Sequence, residues 1–514
     1  MSEGSYPHIR GGVGTWSDML IRGLPGVDFS LVSLVANPNV EVVYDLPDNV
    51  TELVTVPLWG TSEVLELQRH LDIEEILRRK LSVTEAEIRE AFEPLFRRFV
   101  ELIWELDAPA EEMAIVLRQM ARYFRTHDYD VTMRSRPIWE AFVEICVAGF
   151  RQVEQQAGLE TTVSLDDLTN GMRLLYRWLT VLTVKLPDAD VYHATAAGLT
   201  GILGILATAD PTKAFILSEH GIYLRERLLA LSGTETSRFD RVFQAQFVQR
   251  ITEASYWVTD RITPCNDYNH RWELRNGALP EVIQTVHNGV DASRFSPPAE
   301  PRDPNKPPTA IWLGRIDPLK DLETLIHAAA VVKAEMPEAR FILYGKPSEG
   351  NQGYYEDLLA LRAELEVEEQ IIFGGFTSSP EAAYHEGDFS VLSSISEGFP
   401  YSVVEAMMCA RTVVGTNVGG VSEALNDVGI VVEPRNPQQL GEACLELFGN
   451  LALAQELGRL AREKALAHFT LEKCNATFYA IYCEVAAYRI DTAAGYEEPI
   501  PLPTCLLPAA AGET

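Results

Sequence analysis

The sequence predicts an α/β protein in which two doubly wound, Rossmann-like domains face a cleft and the first domain carries a helical insertion. Three observations predict this class. Short aliphatic runs alternate with helical stretches in the C-terminal half, a similar alternation occurs earlier, and helical periodicity replaces it between about residues 63 and 185. A chain of 514 residues is also too long for one compact domain.

The clearest alternation lies between residues 309 and 433. Helix-like stretches at 322–335 and 354–365 separate apolar runs, which indicates a parallel sheet covered by helices on both faces. In such a sheet the ligand crevice lies at the carboxyl ends of the strands. The predicted strands are 309–314, 341–345, 371–376, 389–394, 412–416 and 429–433.

The first half predicts a second sheet that is interrupted by helices. Thr84 with Glu87 fits a helix start, and a further helix begins at Ser164. Apolar residues at helical spacing follow Thr84, at Ile88, Phe92, Leu95, Phe99, Ile103 and Leu106. The predicted strands are 27–35, 190–195, 214–221, 254–260 and 282–289.

These patterns divide the chain into two domains and a tail. The stretch from Ser296 to Pro308 is rich in proline and polar residues, which is typical of a linker. The predicted divisions are a first domain at 1–290 with its insertion at about 63–185, the linker at 296–308, a second domain at 309–470, a helix at 471–490 that packs back on the first domain, and a disordered tail at 492–514.

Composition excludes several classes of protein. A formal net charge of -31 argues against a nucleic-acid partner, because an extended phosphate footprint needs clustered Lys and Arg. The seven cysteines form no C-x-x-C pair, which argues against a zinc site or a disulfide framework. The first residues contain no apolar signal segment, and the longest apolar runs are about half of a membrane span. These signs predict a soluble, cytoplasmic protein.

Two cations follow the first strand of the predicted second domain. Arg315 comes directly after Gly314, and Lys320 lies five residues further on. A guanidinium that forks two oxygens and an ammonium that acts as a point charge together suit a diphosphate. The alternative is a surface charge pair with Asp317 or Asp321.

Two glutamates, Glu397 and Glu405, bracket a Gly-Phe-Pro turn and the start of a predicted helix. The first N–H groups of a helix form an anion site, here at Tyr401, Ser402 and Val403. Since carboxylates accept hydrogen bonds from adjacent hydroxyls, one glutamate could hold a sugar and the other a ribose. The alternative is a helix-start acid and a half-buried cap partner. Together with Arg315 and Lys320, the functional interpretation is favoured.

Several motifs in order carry a family resemblance. The strings GRIDPLKD, SEGFPYSVVEAMMC and NVGGVSEAL resemble the donor-binding half of family 4 retaining glycosyltransferases of the GT-B fold. At the N-terminus, YPHIRGGVGTW, the helical insertion and LSEHGIYLRER are similar to the Pel exopolysaccharide glycosyltransferase (PelF-type) family.

The resemblance implies roles for individual residues. Arg315 and Lys320 would hold the diphosphate and neutralise the leaving group, Glu397 would bind the donor sugar, and Glu405 the ribose. His220 would lie near the transferred sugar and the acceptor, which makes His220, Arg315, Lys320 and Glu397 the implied catalytic set. Further donor contacts would come from Gly11 and Gly12 in the first loop, from Gly374, Gly375 and Phe376 beside the base, and from the backbone of Gly398, Phe399, Pro400, Tyr401, Ser402 and Val403.

The resemblance also implies the reaction. A sugar would pass, with retention, from a nucleotide sugar, expected to be a UDP-sugar, to a growing exopolysaccharide. Positive charge grows on the ring in such transfers, while cations and a helix dipole stabilise the leaving diphosphate. No cofactor and no metal are therefore expected, and the D-x-D string at Asp188 and Asp190 is interpreted as a turn.

Three other functions stay open at this point. One is a glycosyltransferase of another glycan or glycoconjugate. Another is a sugar-nucleotide 2-epimerase of the same fold, which is disfavoured because Arg315, Lys320, Glu397 and Glu405 match the transferase pattern. The third is a non-catalytic nucleotide-binding scaffold whose insertion docks a membrane polysaccharide synthase complex.

The sequence departs from the family pattern in two places. Only three residues precede Gly4, where a complete strand is usual, so either the first strand is supplied differently or the sequence begins at an internal position. If the sheet lacks this strand, an exposed edge would weaken the first domain. His287 stands where a proline is common and is interpreted as a change in the linker region without catalytic meaning. His193 is interpreted as a core histidine at a strand end.

Overall fold

Apolar and β-branched runs form parallel strands in both halves of the chain. The computed structural model describes residues 1–60, 71–233, 235–300, 302, 303 and 305–494. Its strands are β1 (Ser2–Glu3), β2 (Phe29–Val35), β3 (Val50–Pro57), β4 (Val191–Ala194), β5 (Ala214–Glu219), β6 (Arg261–Pro264), β7 (Thr309–Leu313), β8 (Arg340–Tyr344), β9 (Ile371–Gly375), β10 (Phe389–Leu392), β11 (Val413–Thr416) and β12 (Ile430–Val432).

Helices connect and cover these strands. In the first half they are α1 (Gly12–Gly23), α2 (Ile73–Ser82), α3 (Glu85–Glu87), α4 (Glu93–Trp104), α5 (Ala110–Phe124), α6 (Tyr129–Met133), α7 (Arg136–Gln156), α8 (Leu165–Trp178), α9 (Leu199–Ala207), α10 (Tyr223–Ser232), α11 (Arg238–Val258) and α12 (Asp267–Arg275). In the second half they are α13 (Leu322–Glu335), α14 (Gln352–Glu364), α15 (Pro380–Glu386), α16 (Tyr401–Met408), α17 (Val421–Leu425), α18 (Pro437–Gly449), α19 (Leu451–His468) and α20 (Leu471–Ala494). Among the described residues, no helix combines the length and hydrophobicity needed to cross a bilayer.

The N-terminal sheet consists of two three-stranded parts joined at their edges. β1, β2 and β3 form one part and β4, β5 and β6 the other. The nitrogen of Met1 donates to the His193 carbonyl at 2.6 Å, and Thr195 N donates to the Met1 carbonyl at 3.1 Å. The strands therefore lie in the order β3-β2-β1-β4-β5-β6, the order of a doubly wound dinucleotide fold. The short first strand is thus central in the sheet.

The C-terminal sheet repeats this arrangement. Its order is β12-β11-β10-β7-β8-β9, which within the domain is again 3-2-1-4-5-6 read from the other edge. In both sheets the order reverses between the first and fourth strand of the domain, and the crevice at the carboxyl ends of those two strands is where a ligand is expected. The predicted fold class is therefore confirmed, with two doubly wound parallel sheets and a helical block in the first half.

The helical block shares one core with the N-terminal sheet. Phe92, Phe96 and Phe99 are fully buried, in the same apolar cluster as Leu34 of β2 and Phe215 of β5. The final helix, α20, returns to the first domain, where Phe478 packs with Trp16 of α1 and Ile216 of β5. This places the end of the described chain against the domain in which it began.

The sequence predicted some elements wrongly. Residues 254–258 were predicted as part of a strand, but they form the last turn of α11, and the strand follows at β6. Residues 282–289 contain no assigned strand, although Gln284 N and Val286 N donate to carbonyls of β6 at 2.9 Å. Strand β3 was not predicted, because polar residues alternate with its apolar residues and leave no continuous apolar run. Of the predicted disordered tail, 492–494 belong to α20 and the rest lies outside the described residues.

Two fully buried glutamates of the first domain, Glu219 and Glu273, interact electrostatically, and neither forms an ion pair with a described residue. Glu219 ends β5 and accepts hydrogen bonds from the Tyr256 hydroxyl and, at 3.0 Å, from Tyr223 N. Neither carboxyl oxygen of Glu273 in α12 has a hydrogen-bond partner among the described residues. Burial, and then the neighbouring carboxylate, raise the pKa of the Glu273 carboxyl, and burial raises that of Glu219.

We expect Glu273→Gln to stabilise the protein at alkaline pH. In the unfolded chain Glu273 loses its proton near pH 4.5, whereas in the folded chain it holds it to higher pH, so the wild-type protein loses stability as pH rises above about 4.5. The variant should unfold at a temperature higher by roughly 2–4 °C at about pH 8, for a gain of about 1 kcal/mol, and at the wild-type temperature near pH 4. Thermal unfolding at both pH values measures this. Glu446→Gln, an exposed change on α18, is the control, and an equal shift at both pH values contradicts the expectation.

Candidate functional site

Two loops meet at the point where the strand order of the C-terminal sheet reverses. One follows β7 and contains residues 314–321, and the other follows β10 and contains residues 393–400. The Ser393 hydroxyl donates to the Lys320 carbonyl at 2.7 Å, and Ile395 N donates to the Leu319 carbonyl at 2.9 Å. The backbone therefore fixes the two loops against each other.

Lys320 and Glu397 form an ion pair across these loops. Lys320 Nζ lies 2.5 Å from Glu397 Oε1, and the Ser394 hydroxyl donates to the same oxygen at 2.6 Å. Glu397 Oε2 receives no hydrogen bond from a described residue. One oxygen is thus fixed by protein donors while the other is left to accept hydrogen bonds from a ligand hydroxyl.

Arg315 is in the same loop as Lys320, is exposed, and forms no ion pair within the described part of the chain. The alternative partners have other contacts. Asp317 accepts from Leu319 N at 3.0 Å and from the Asn351 amide at 2.9 Å, and Asp321 accepts from the Thr324 hydroxyl at 2.7 Å. The guanidinium therefore remains able to bind an anion at this edge of the sheet.

The start of α16 faces the same region. No side chain caps α16, so the N–H groups of Tyr401 and Ser402 are free of intrahelical partners. Val403 differs from the sequence prediction, because its N–H donates to the Pro400 carbonyl at 3.2 Å. The candidate anion site at this helix is therefore formed by fewer donors than predicted.

Glu405 lies one turn further along α16 in different surroundings. The Tyr384 hydroxyl lies 3.1 Å from Glu405 Oε2 and 3.0 Å from the Ser402 carbonyl. Burial raises the pKa of the Glu405 carboxyl to about 7, against the opposing effects of the Tyr384 hydrogen bond and of Arg294. No hydrogen bond or ion pair joins Glu405 to Lys320 or Arg315 among the described contacts. The two glutamates therefore occupy separate parts of the site.

The loop after β9 forms the neighbouring wall. Gly345 N donates to the Gly375 carbonyl at 2.8 Å, which aligns the loops after β8 and β9. A Cβ on Gly374 would lie 2.6 Å from the Tyr344 ring, so this position has no room for a side chain. Phe376 is exposed, with Lys346 Nζ 5.4 Å from its ring centre. An aromatic face and a third cation thus border the site.

The N-terminal domain contributes His220, which follows β5. Its ring meets the Trp16 indole edge-on at 4.5 Å between centres, and its Nε2 is buried without a hydrogen-bond partner among the described residues. Burial lowers the pKa of His220 to about 4, so the imidazole is neutral at neutral pH. His193 differs, because Nδ1 lies 2.8 Å from the Tyr482 hydroxyl and Nε2 lies 2.7 Å from the Ser218 hydroxyl. His193 is a core residue, as expected.

The loop that carries Glu397 is in contact with the first domain. A Cβ on Gly398 would lie 2.1 Å from the His220 carbonyl oxygen, so only glycine permits this approach. The Asn288 amide donates to the Phe399 carbonyl at 2.9 Å. Gly419 has a φ of 52° and would place a Cβ 1.9 Å from the Glu397 carbonyl oxygen. The contacts of Gly398 and Asn288 join the Glu397 loop to the first domain, and Gly419 packs on the same loop from within the second domain.

A second set of interdomain contacts corrects the interpretation of His287. Its imidazole pairs with Glu423 of α17, whose carboxylate also accepts from Asp267 N at 2.9 Å. The His287 ring lies 4.9 Å from that of Phe399. His287 is therefore part of the domain interface next to Phe399, and not of the linker region as predicted.

The two glycines of the first loop are open. Within the described part of the chain, neither Gly11 nor Gly12 has a neighbour within 4 Å of the position that a Cβ would take. Gly11 has an extended backbone with φ 178°, and Gly12 begins α1. The protein itself therefore does not require glycine at Gly12, and the space above α1 is free for a ligand.

The described residues contain no group of three or more His, Cys, Asp or Glu side chains that could hold a metal ion. Asp188 of the D-x-D string is exposed and lies 2.7 Å from Lys213 Nζ. Asp190 is in the segment that leads into β4, and its carbonyl accepts from Ala214 N at 3.0 Å. Asp188 and the backbone of Asp190 therefore both contact other residues of the first domain.

Sequence reasoning missed several residues of the site. Ser394 orients Glu397, Asn288 fixes the Phe399 carbonyl, Trp16 packs on His220, and Lys346 lies beside Phe376. Lys346 had a detectable signal, since it follows a predicted strand of the same sheet. The others act through contacts between residues more than 100 positions apart or through a hydroxyl that many loops contain, so the sequence pattern carried no signal for them.

Comparison with known proteins agrees with this architecture. Residues 1–281 match the family described as "Domain of unknown function (DUF3492)", and residues 307–450 match the family described as "Glycosyl transferases group 1". The sucrose-phosphate synthase of Thermosynechococcus elongatus has a similar fold, with a TM-score of 0.58 and 16% identity over 95% of this chain and 99% of that chain. These matches identify the two-domain arrangement as the GT-B fold.

Relatives are also found by sequence alone. A D-inositol 3-phosphate glycosyltransferase of Streptomyces bingchenggensis is 32% identical over 230 residues, 41% of this chain and 50% of the relative. A protein of the same name from Mycobacterium sp. is 34% identical over 161 residues, 30% of this chain and 36% of the relative. The chain thus spans half or less of the length of these two relatives.

We expect Gly398→Ala to disturb the contact between the domains. The new methyl group cannot fit 2.1 Å from the His220 carbonyl, so the Glu397 loop must move away from the first domain. The thermal midpoint should fall by roughly 2–4 °C for each kcal/mol lost, as measured by calorimetry. Gly12→Ala, which meets no atom within 4 Å, is the matched control and should leave the midpoint unchanged. Equal stability of both variants contradicts a role for Gly398 in holding the domains together.

Proposed function

The chain belongs to the family described as "Domain of unknown function (DUF3492)" through its residues 1–281, and we propose that it is a retaining glycosyltransferase that moves a sugar from a UDP-sugar to a growing exopolysaccharide of the Pel type. The arrangement of Lys320, Glu397 and Arg315 at the switch point of the C-terminal sheet is the observation that carries this proposal. The exopolysaccharide and its membrane synthase complex enter the proposal through the resemblance of the N-terminal motifs.

The proposed chemistry follows from where the charges lie. Departure of a nucleoside diphosphate places negative charge on the phosphate oxygens while positive charge grows on the sugar ring. Lys320 and Arg315 would stabilise the diphosphate, and the free N–H groups at the start of α16 would add a partial positive charge. At ~4 Å and an effective dielectric near 20, each full charge contact is worth roughly 4 kcal/mol before desolvation. The proposal needs no metal for this stabilisation.

Two further residues would orient the sugar. Glu397 Oε2 is available to accept from a sugar hydroxyl, because Lys320 and Ser394 both bind Oε1. His220 is neutral and has an unpartnered Nε2 among the described residues, so it can exchange one hydrogen bond with a sugar or acceptor hydroxyl. Glu405 would accept from the ribose hydroxyls in its ionised form, and Gly374, Gly375 and Phe376 would border the base.

The relatives favour a second candidate with a different acceptor. The two curated proteins reported above are named as glycosyltransferases of D-inositol 3-phosphate, which is a small phosphorylated acceptor. The same donor site would serve either acceptor. Transfer assays with a glycan and with inositol 3-phosphate separate the two candidates.

We expect Lys320→Ala to weaken nucleotide binding. Loss of a charge-assisted contact costs roughly 1.5–3 kcal/mol, or about 10–150-fold in the dissociation constant. Calorimetry with UDP, ADP and GDP identifies the base and measures the change for the nucleotide that binds. Lys473→Ala, an exposed change on α20, is the control. If none of the three nucleotides binds to the wild-type protein, the proposed transferase is wrong.

His220→Ala should lower turnover while leaving UDP affinity close to that of the wild type. One lost hydrogen bond corresponds to roughly 10–100-fold in rate. Because the pKa of His220 is about 4, its protonation should not shape the rate between about pH 6 and pH 8. The rate of UDP-sugar hydrolysis across this range, in both proteins, measures the effect. An acid limb near pH 6.5 that disappears in the variant contradicts a neutral His220.

A further inference from the structure

The N-terminal sheet has a cavity at its own switch point. Its volume is about 350 Å³, within the range of roughly 300–1,000 Å³ that small-molecule sites occupy. Glu3 and Gly4, at the end of β1, line one side, and Gly198 and Leu199, after β4, line another. β1 and β4 are the strands between which the order of this sheet reverses, which is where a doubly wound sheet binds its ligand.

The walls of the cavity come from three parts of the first domain. Trp178 of α8 belongs to the helical block and stacks on Phe247 of α11, with 4.8 Å between ring centres. Trp59, which follows β3, also lines the cavity and is exposed, and the Arg177 guanidinium lies 5.8 Å from its ring centre. The helical block therefore closes one side of a crevice that would otherwise be open, and two indole rings line it.

A few polar groups converge on these walls. Glu3 accepts from the Tyr223 hydroxyl at 3.1 Å and from Leu199 N at 3.1 Å. Arg227 also lines the cavity, and its Nε is buried without a hydrogen-bond partner among the described residues. Gln244 adds an amide. An unpaired buried donor is costly, so Arg227 is a group that a bound ligand would satisfy.

The cavity lies on the same edge of the sheet as the residues that face the donor site. Tyr223 is three residues beyond His220, and Gly4 begins the loop that ends at Gly11. A ligand held here would be bound by the first domain beside His220, opposite the nucleotide site of the second domain. This is the side from which an acceptor must approach the donor sugar.

We infer that this cavity binds terminal sugar units of an uncharged glycan acceptor, with Trp59 and Trp178 packing on the sugar rings and Glu3, Arg227 and Gln244 binding their hydroxyls. The inference rests on the proposed function, whose acceptor it specifies. Sugar rings combine apolar C–H faces with a rim of hydroxyls, which matches aromatic walls and a small number of polar groups. Burial raises the pKa of the Glu3 carboxyl, and in their ionised forms Glu3 and Arg227 offset each other, so the lining offers no net positive charge to a phosphate and favours an uncharged acceptor.

The test uses the full chain and three tetrasaccharides, maltotetraose, cellotetraose and chitotetraose, each titrated by calorimetry in the presence of UDP. Two variants change the cavity in opposite ways, since Trp178→Ala removes a wall and Ala36→Trp fills the space. We expect at least one tetrasaccharide to bind at millimolar concentration, and both variants to weaken it about tenfold or more. Trp257→Ala, an exposed tryptophan of α11 outside the cavity, is the matched control and should bind like the wild type.

UDP binding and acceptor-free hydrolysis of the UDP-sugar should stay unchanged in both cavity variants, which separates this inference from the proposed function. If UDP does not bind to the wild-type protein, that result contradicts the proposed donor site and not the inference about the cavity. The inference is overturned if no tetrasaccharide binds, or if binding is the same in all variants. It is also overturned if D-inositol 3-phosphate binds and Trp178→Ala abolishes that binding.

Discussion

The ion pair between Lys320 and Glu397 joins the two loops on which the candidate site is built. It lies at the carboxyl ends of β7 and β10, where parallel strands separate and leave a crevice. The Ser394 hydroxyl donates to the same Glu397 oxygen as Lys320, which fixes the orientation of the Glu397 side chain. The second carboxylate oxygen is left for a ligand. The pair also keeps a cation in place within a protein of net charge -31, which would otherwise repel a diphosphate. The positive charge, and the attraction that it exerts on a diphosphate, are confined to this site.

Support for this loop comes from the other domain. Gly398 lies against the His220 carbonyl, Asn288 binds the Phe399 carbonyl, and His287 pairs with Glu423. The residues that hold the loop are therefore the same residues that bring the first domain to the cleft. The domain interface and the candidate site therefore share the loop that contains Glu397.

Both sheets reverse their strand order at the same place, but they surround different chemistry. The C-terminal switch point presents cations and helix N–H groups, which suit a diphosphate. The N-terminal switch point presents two indoles, a carboxylate and a guanidinium nitrogen without a partner among the described residues, which suit a sugar. Helix α8 of the insertion supplies one of those indoles, so the helical block contributes a wall to the crevice as well as a core to the domain. A single fold repeated twice thus forms two crevices with different linings, one with cations and helix N–H groups and one with two indole rings.

The sequence alone determined the C-terminal domain, because its strands are continuous apolar runs and its helices have regular periodicity, so local preferences and tertiary structure agree. It also indicated Lys320 and Glu397, whose motifs adjoin predicted strand ends. Tertiary structure decided the rest. Residues 254–258 are rich in aromatic and small residues that suit a strand, yet they continue α11 because that helix is buried in the domain core. The position of β1 in the sheet depends on hydrogen bonds between Met1 and residues 193–195. Glycine is required at position 398 because the His220 carbonyl lies against it. The cavity forms because α8 lies over strands that are distant in the sequence. Each joins residues far apart in the chain, and a local pattern carries no record of such contacts.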